Sequence, residues 1–132
     1  MQLNITTDYA IRTVLYLAIR NFMTTSSEIA AAMRIPENYI LKITKKLQKA
    51  GIVQREVGVK GGFILAKSME EVNLYEIIEL MEPKMKINRC LEEDEYCSRF
   101  ATEHCPVRKF YSNLQNELEI KLKEMTVKKL LS

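Results

Sequence analysis

The three cysteines of this 132-residue chain lie close together and could bind a metal. Cys90, Cys97 and Cys105 fall within sixteen residues, in a polar segment that also contains His104. Thiolates gathered in one loop are typical ligands of iron–sulfur clusters and of zinc. Six and seven residues separate the cysteines, so the short two-residue knuckle of structural zinc sites is missing. The spacing therefore favours an iron–sulfur cluster over zinc.

A cluster with three cysteine ligands needs a fourth ligand, and two residues are candidates. His104 is the only histidine, but it adjoins Cys105, and neighbouring side chains rarely point at one metal. Asp8 lies far away in sequence, in the first turn of a predicted helix. An acidic residue there also interacts favourably with the helix dipole, which is its ordinary structural role. These residues alone leave the fourth ligand open.

A second group of residues could bind a phosphate backbone. The segment 34–67 contains eight basic and two acidic residues, so it carries +6, whereas the whole chain carries +3. A basic segment in an otherwise slightly acidic protein is typical of a nucleic-acid-binding region. The alternative is a solvated basic helix face.

The elements around these residues predict a mainly α-helical fold with a small β-hairpin. Apolar residues recur at helical spacing in segments 7–21, 26–33 and 36–50. Two short β-like runs, 53–57 and 62–66, then flank a glycine-rich turn. Two helices followed by a cationic helix and a hairpin are typical of a winged helix-turn-helix, whose cationic helix enters the major groove.

Capping residues and apolar spacing predict the remaining helices. Thr6 or Thr7 can cap the first helix, and Asn73 can cap a fourth helix that ends before Pro83. A long helix is predicted from near Pro106 to about residue 131, which is about 39 Å at 1.5 Å per residue. Because so small a domain cannot cover such a helix, its apolar seam predicts dimerisation, with packing on the first helix as the alternative. The seam comprises Val107, Tyr111, Leu114, Leu118, Leu122 and Met125.

The N-terminal residues of the cationic helix are the expected base-contacting residues, because that end of a recognition helix lies nearest the base edges. Lysines further along the helix, and residues of the hairpin, are expected to contact phosphates or the adjacent groove. Each lysine alone is ordinarily a solvated charge, and only their combination on these elements favours DNA. The predicted DNA-contacting residues are Ser27, Glu37, Asn38, Tyr39, Lys42, Lys45, Lys46, Arg55 and Lys60.

The composition indicates a folded cytoplasmic protein, since 47% of the residues are hydrophobic and 28% are charged. The longest apolar run, 10–19, is too short to span a membrane, and Asp8 and Arg12 interrupt the only early segment that could serve as a signal peptide. A single histidine and the lack of a phosphate-binding glycine loop or a nucleophile–base pair argue against an enzyme. We expect a winged-helix region at 1–82, a cysteine-containing loop at 83–105 and a dimerisation helix at 106–132.

Five stretches of the sequence together resemble the motifs of a known family. They are Thr7–Arg12, Ser27–Ala30, Ile35–Ile43, Leu47–Val53 and the hairpin Gly58–Leu65. They resemble the Rrf-type winged-helix transcriptional regulators of bacteria. The resemblance implies a homodimer that binds a roughly palindromic operator in double-stranded DNA, because two-fold protein symmetry demands a matching repeat. It also implies a regulator, generally a repressor, that senses redox state, nitric oxide or iron–sulfur status.

The resemblance also implies a cofactor and its ligands. Cluster-bearing members carry three cysteines before the C-terminal helix, although with five-residue gaps in the IscR-like and NsrR-like branches. IscR-like members add a histidine three residues after the third cysteine, where this chain has Arg108, whereas NsrR-like members use an aspartate that Asp8 matches. The resemblance therefore implies a 4Fe-4S cluster bound by the three cysteines and Asp8, with 2Fe-2S and His104 as the weaker alternatives. Such a cluster can be absent from protein prepared in air.

Two alternatives dispense with the cluster. In the first, the winged-helix regulator responds to thiol oxidation or to a protein partner, as the CymR-like branch does. In the second, zinc stabilises the cysteine loop and the winged helix binds a protein. Metal and sulfide content, together with a salt-dependent DNA-binding assay, would separate these alternatives.

Overall fold

The computed structural model describes all 132 residues, as six α-helices and one two-stranded antiparallel sheet. A single 3-10 turn, Arg89–Leu91, lies in the long loop after the fourth helix. This architecture confirms the predicted fold class, a mainly α-helical chain with a β-hairpin. The elements are α1 Ile5–Arg20, α2 Ser26–Met33, α3 Glu37–Lys49, β1 Val53–Glu56, β2 Gly62–Leu65, α4 Leu74–Met81, α5 Pro106–Glu124 and α6 Val127–Leu131.

Side-chain caps begin three of the first four helices. Thr25 caps α2, and Asn73 caps α4 as the sequence predicts. The prediction for α1 is wrong, because Asn4 caps this helix ahead of the two threonines. Thr7, one of those threonines, is instead buried, and its hydroxyl donates a hydrogen bond to Glu82 Oε1 at 3.0 Å. This bond ties the start of α1 to the end of α4.

The hydrophobic core lies between α1, α2, α3, α4 and the hairpin. The apolar side of α3 supplies Ile40, Ile43 and Leu47, all fully buried. Leu17 of α1 and Ile29 of α2 are also fully buried and belong to the same cluster. Each such side chain contributes about 1.5–3 kcal/mol to folding. The core therefore fixes α3 on the domain by one side only and leaves its other side to solvent.

The hairpin is fixed to the body of the domain through Thr24. Phe63 pairs with Arg55 across the two strands, and it also exchanges two backbone hydrogen bonds with Thr24, at 2.9 and 2.8 Å. Gly62 has a φ of 152°, and a Cβ atom there would lie 2.5 Å from the Thr24 carbonyl oxygen. Only glycine permits this approach, so Gly62 holds the hairpin at a defined position beside the helices.

The C-terminal helix is interrupted, so the prediction of one continuous helix to residue 131 is wrong. α5 ends at Glu124, and Thr126 caps the separate α6. The break allows Val127 to enter the core, where it is fully buried and its N–H donates to the Val72 carbonyl at 2.9 Å. Burial of Val127 and new backbone bonds compensate for the lost helical continuity. None of the helices is both long and apolar enough to cross a membrane.

Candidate nucleic-acid interface and cysteine site

The outer side of α3 is cationic and open to solvent. Because Ile40, Ile43 and Leu47 occupy the inner side, the polar residues of the helix are turned outward. Pro36 lies at the N-cap position, where its missing N–H costs no intrahelical hydrogen bond. The exposed polar residues of α3 are Glu37, Asn38, Lys42, Lys45, Lys46, Gln48 and Lys49.

The first turn of α3 is joined to α2 by a side-chain hydrogen bond. Ser27 Oγ donates to Glu37 Oε1 at 2.8 Å, so two predicted DNA-contacting residues orient each other at the surface. Tyr39 is half-buried, and its ring packs edge-on against Tyr9 with 5.3 Å between the ring centroids. The ring of Tyr39 therefore already serves packing, and only part of the side chain faces outward. The DNA contacts of these three residues stay predictions.

The hairpin presents a second basic surface next to α3. Lys60 lies at its exposed tip, and Arg55 is exposed on β1, with its guanidinium 5.7 Å from the centroid of the Phe63 ring. Strand β1 follows α3 after a short turn and packs against it. Gly51 makes this turn possible, because it adopts a φ of 76° directly after the helix. One duplex can therefore contact α3 and the hairpin together.

The three cysteines line one cavity of about 270 Å³ at the N-terminus of α5. All three are half-buried free thiols. Their soft sulfur donors suit an iron–sulfur cluster. No three Cys, His, Asp or Glu side chains converge closely enough to hold a metal ion. The structure thus provides three sulfur donors around one cavity, but these donors are too far apart to bind one metal ion together.

Arg108 connects the parts of the cysteine loop. Its Nε donates to the Cys90 carbonyl at 3.0 Å, and its guanidinium contacts Glu95 Oε1 at 3.1 Å. Its backbone N–H lies 3.5 Å from the sulfur of Cys105, which caps α5. The sequence marks Arg108 only by its distance of three residues from Cys105, so this connecting role was missed. Arg108 places a fixed positive charge beside the thiols.

The turn around Cys97 places backbone N–H groups near its sulfur. Backbone N–H groups of Ala101 and, to a lesser degree, Arg99 stabilise its thiolate and lower the pKa of Cys97 below the ordinary value for cysteine. Phe100 adopts a positive φ of 54° within this turn. The local backbone therefore favours the anionic form that binds metals and reacts with oxidants.

The two candidate fourth ligands lie outside the cysteine cavity. Asp8 is on α1 and forms an ion pair with Arg12 at 2.6 Å, which is the ordinary structural role of such a residue. His104 lies beside Cys105 but lines a different, polar cavity. Neither residue lines the cavity that the three thiols share. Their roles as ligands stay predictions.

Gln115 is a buried polar residue that the sequence pattern did not single out. Its Oε1 accepts the Ile87 N–H at 2.9 Å, and its Nε2 donates to the Met85 carbonyl at 3.1 Å. Both the oxygen and the nitrogen of the Gln115 amide therefore have hydrogen-bond partners, and the segment before the cysteine loop is fixed to α5. A lone glutamine next to Leu114, within the apolar seam, is the signal that could have revealed it.

An apolar stripe along α5 is exposed to solvent. Val107, Phe110, Leu114 and Leu118 lie on it, and Phe110, which the predicted seam omits, is 62% exposed. Val107 and its neighbour Tyr111 also line the cysteine cavity. The cavity therefore lies beside the stripe and shares Val107 with it.

Comparisons with known proteins agree with this architecture. Residues 3–132 match the Rrf2 family, described as an iron-dependent transcriptional regulator. A protein of Aquifex aeolicus described as an HTH-type transcriptional regulator is 33% identical over 128 residues, which cover 96% of this chain and 89% of that protein. The regulator NsrR of Shouchella clausii is 33% identical over 96 residues, 71% of this chain and 64% of that protein.

Solved structures show the same fold at lower identity. IscR of T. potens superposes with a TM-score of 0.78 at 20% identity, covering 99% of this chain and 86% of that chain. CymR, the global cysteine regulator of B. subtilis, superposes with a TM-score of 0.79 at 20% identity, covering 98% and 95%. At these identities the likeness concerns the fold alone. The family match over nearly the whole chain goes further, and it shows that this chain belongs to the Rrf2 family of helix-turn-helix transcriptional regulators.

Proposed function

We propose that the protein acts as a homodimer that binds a palindromic operator and represses transcription according to the state of its cysteine loop. The observation that carries this proposal is the position of the thiol-lined cavity beside the apolar stripe of α5, with Val107 belonging to both. A chemical change at the thiols then acts directly on the surface that joins two protomers.

The DNA-binding part of the proposal is supported by α3 and the hairpin. Four lysines of α3 face solvent, and Lys60 extends the basic surface at the hairpin tip. In a two-fold dimer the two copies of α3 enter successive major grooves, about 34–36 Å apart. Contacts to phosphates then set the affinity, whereas Asn38, Glu37 and Lys42 contact base edges.

The dimer part is supported by the apolar stripe of α5. A row of exposed apolar side chains on an amphipathic helix is costly in water and is typical of a buried interface. The two-fold packing of this stripe on its copy covers it without any other protein. The same packing carries the two copies of α3 to opposite ends of the operator.

The cysteine loop is proposed to hold a 4Fe-4S cluster through Cys90, Cys97, Cys105 and Asp8, with Asp8 coming from the partner protomer. Three half-buried thiols around one cavity fit the donor set of such a cluster. When bound, the cluster supplies a redox- and nitric-oxide-sensitive centre. To hold the cluster, the three thiols would have to move closer together. Asp8 would have to leave its ion pair with Arg12 in order to bind the cluster. Binding of the cluster would therefore change the conformation of both the cysteine loop and the start of α1.

The coupling to DNA follows from these movements. Arg108 holds the Cys90 segment to the first turn of α5, so closure of the loop displaces Val107 and Tyr111 together with it. A displaced stripe changes the angle between protomers and hence the separation of the two recognition helices. The loop with the cluster and the loop without it would thus favour two different dimer geometries. Only one of these geometries fits the operator.

A second candidate function keeps the DNA binding but lacks the cluster. The lowered pKa of Cys97 raises the fraction of reactive thiolate at a given pH, and no three ligand side chains converge in the structure. The likeness to CymR is compatible with such a regulator. Oxidation of the loop, or a protein partner bound to it, would then alter the dimer.

Iron and sulfide content, with a visible spectrum, separates the two functions in protein purified without oxygen. We expect coloured protein that contains iron and sulfide. Asp8→Ala should retain a small fraction of the wild-type iron, because it removes a ligand, whereas His104→Ala should retain nearly all of it. The melting temperature of iron-free protein checks that both variants fold.

The outcomes are distinct. Equal retention of iron in the two variants would refute Asp8 as a ligand. Colourless wild-type protein without iron or sulfide would refute the cluster and leave the thiol-based regulator.

A further inference from the structure

Leu41 is an exposed leucine in the middle of a cationic helix surface. It is 52% exposed and is the fifth residue of α3. The core positions of this helix are already filled by Ile40, Ile43 and Leu47, so folding does not need Leu41. The Leu41 side chain is therefore free to contact a partner of α3.

The neighbours of Leu41 indicate what it contacts. At helical spacing it lies one turn after Glu37 and Asn38 and one turn before Lys45, on the outward side of α3. The four lysines of the helix make this surface complementary to a polyanion and a poor surface for an apolar protein partner. An apolar group here is therefore best placed against the floor of a DNA groove.

The major groove offers one apolar group for such a contact. Thymine carries a C5-methyl group there, whereas the other bases present only donors and acceptors. We propose that Leu41 is a specificity-determining residue that packs against the C5-methyl group of a thymine in each operator half-site. This inference rests on the proposed function, since it requires that α3 enters the major groove.

The contact between Leu41 and the thymine methyl group adds to the base specificity that the polar residues in the first turn of α3 provide. Glu37 lies one turn before Leu41 and is oriented by a hydrogen bond from Ser27 at 2.8 Å, so a polar and an apolar side chain are neighbours on the outward side of α3. Because leucine has no hydrogen-bonding group, it selects by the apolar surface that a base presents, and the methyl group gives thymine more of this surface than the other bases. The methyl group decides between thymine and uracil, which are otherwise alike.

Replacement of thymine by uracil tests the contact, because it removes only the methyl group. The probe is a duplex that the wild-type protein enriches from a randomised palindromic library. Each thymine pair is replaced symmetrically by uracil, and affinities are measured by fluorescence anisotropy. At one position per half-site, we expect the wild type to lose about fourfold in affinity per methyl group.

The variants assign this loss to Leu41. Leu41→Ala should bind the thymine and uracil duplexes equally at that position, whereas Leu41→Met should restore the discrimination because it restores an apolar contact. Gln48→Ala, which removes another exposed side chain of α3, should discriminate as the wild type does. All three should melt at the wild-type temperature, because these side chains are exposed.

The results that overturn the inference differ from those that overturn the proposed function. Undiminished discrimination by Leu41→Ala, or no uracil-sensitive position for the wild type, contradicts the role of Leu41 alone. Failure of the wild type to enrich any sequence contradicts DNA recognition itself, and with it the role of Leu41.

Discussion

Cys97 is the residue whose chemistry depends most directly on the local backbone. The N–H groups of Ala101 and Arg99 stabilise its thiolate, so the pKa of Cys97 lies below the ordinary value for a thiol. The anionic form is therefore favoured in the folded state. Its contribution to stability is present above the unfolded-state pKa and is lost as the pH falls through the folded-state pKa.

Alkylation measures this shift. In iron-free, reduced protein, the rate of iodoacetamide modification at Cys97 should reach half its maximum at a lower pH than that of free cysteine, because the thiolate is the nucleophile. Mass spectrometry of the Cys97 peptide gives the rate. In urea-unfolded protein the midpoint should return to that of free cysteine. A midpoint in folded protein at or above that of free cysteine would contradict the backbone stabilisation.

The grouping of the three cysteines could be predicted from the sequence, but their supporting residues could not. Cys90 and Cys105 are only fifteen positions apart in one loop, so their proximity along the chain favours a shared cavity. Arg108 and Gln115 depend instead on how α5 packs against the loop. Their polar contacts involve the Cys90, Met85 and Ile87 backbone, which no local pattern reveals.

At the scale of elements, α5 is the helix that links the cysteine loop to the proposed dimer. Its amphipathic pattern was predictable, because apolar residues recur every three or four positions. Its end at Glu124 was not, because the break depends on the burial of Val127 against distant parts of the chain. The apolar spacing continues through the break, so periodicity alone cannot locate it.

A charge on the α5 stripe should separate the protomers. Phe110→Glu removes an aromatic anchor and places a carboxylate in an interface that meets its own copy. We expect the dimer dissociation constant, measured by sedimentation equilibrium, to rise on the order of a hundredfold or more. The melting temperature of the protomer should change little, because Phe110 is exposed.

A matched variant controls for the added charge. Asn116→Glu introduces the same carboxylate on the opposite side of α5, at another exposed position. It should dimerise as the wild type does. A Phe110→Glu protein with the wild-type dissociation constant would show that the interface lies elsewhere.

At the scale of the whole molecule, two surfaces must work together. The basic surface of α3 and the hairpin lies in the N-terminal half of the chain, whereas the cysteine cavity and the apolar stripe lie in the C-terminal half. The core joins them through α1, which packs against α3, α4 and α6. In the proposed two-fold dimer, the separation of the two copies of α3 would depend on the cysteine loop.

The dependence of operator affinity on salt, compared between the wild type and Lys45→Ala, tests the central claim that a dimer binds DNA through α3. Each protein–phosphate contact contributes about 0.9 to the slope of log affinity against log salt concentration. Loss of Lys45 from both protomers should therefore lower the slope by about 1.8. Lys109→Ala, an exposed lysine outside this surface, should leave the slope unchanged. Binding without salt dependence, or an unchanged slope for Lys45→Ala, would contradict the account.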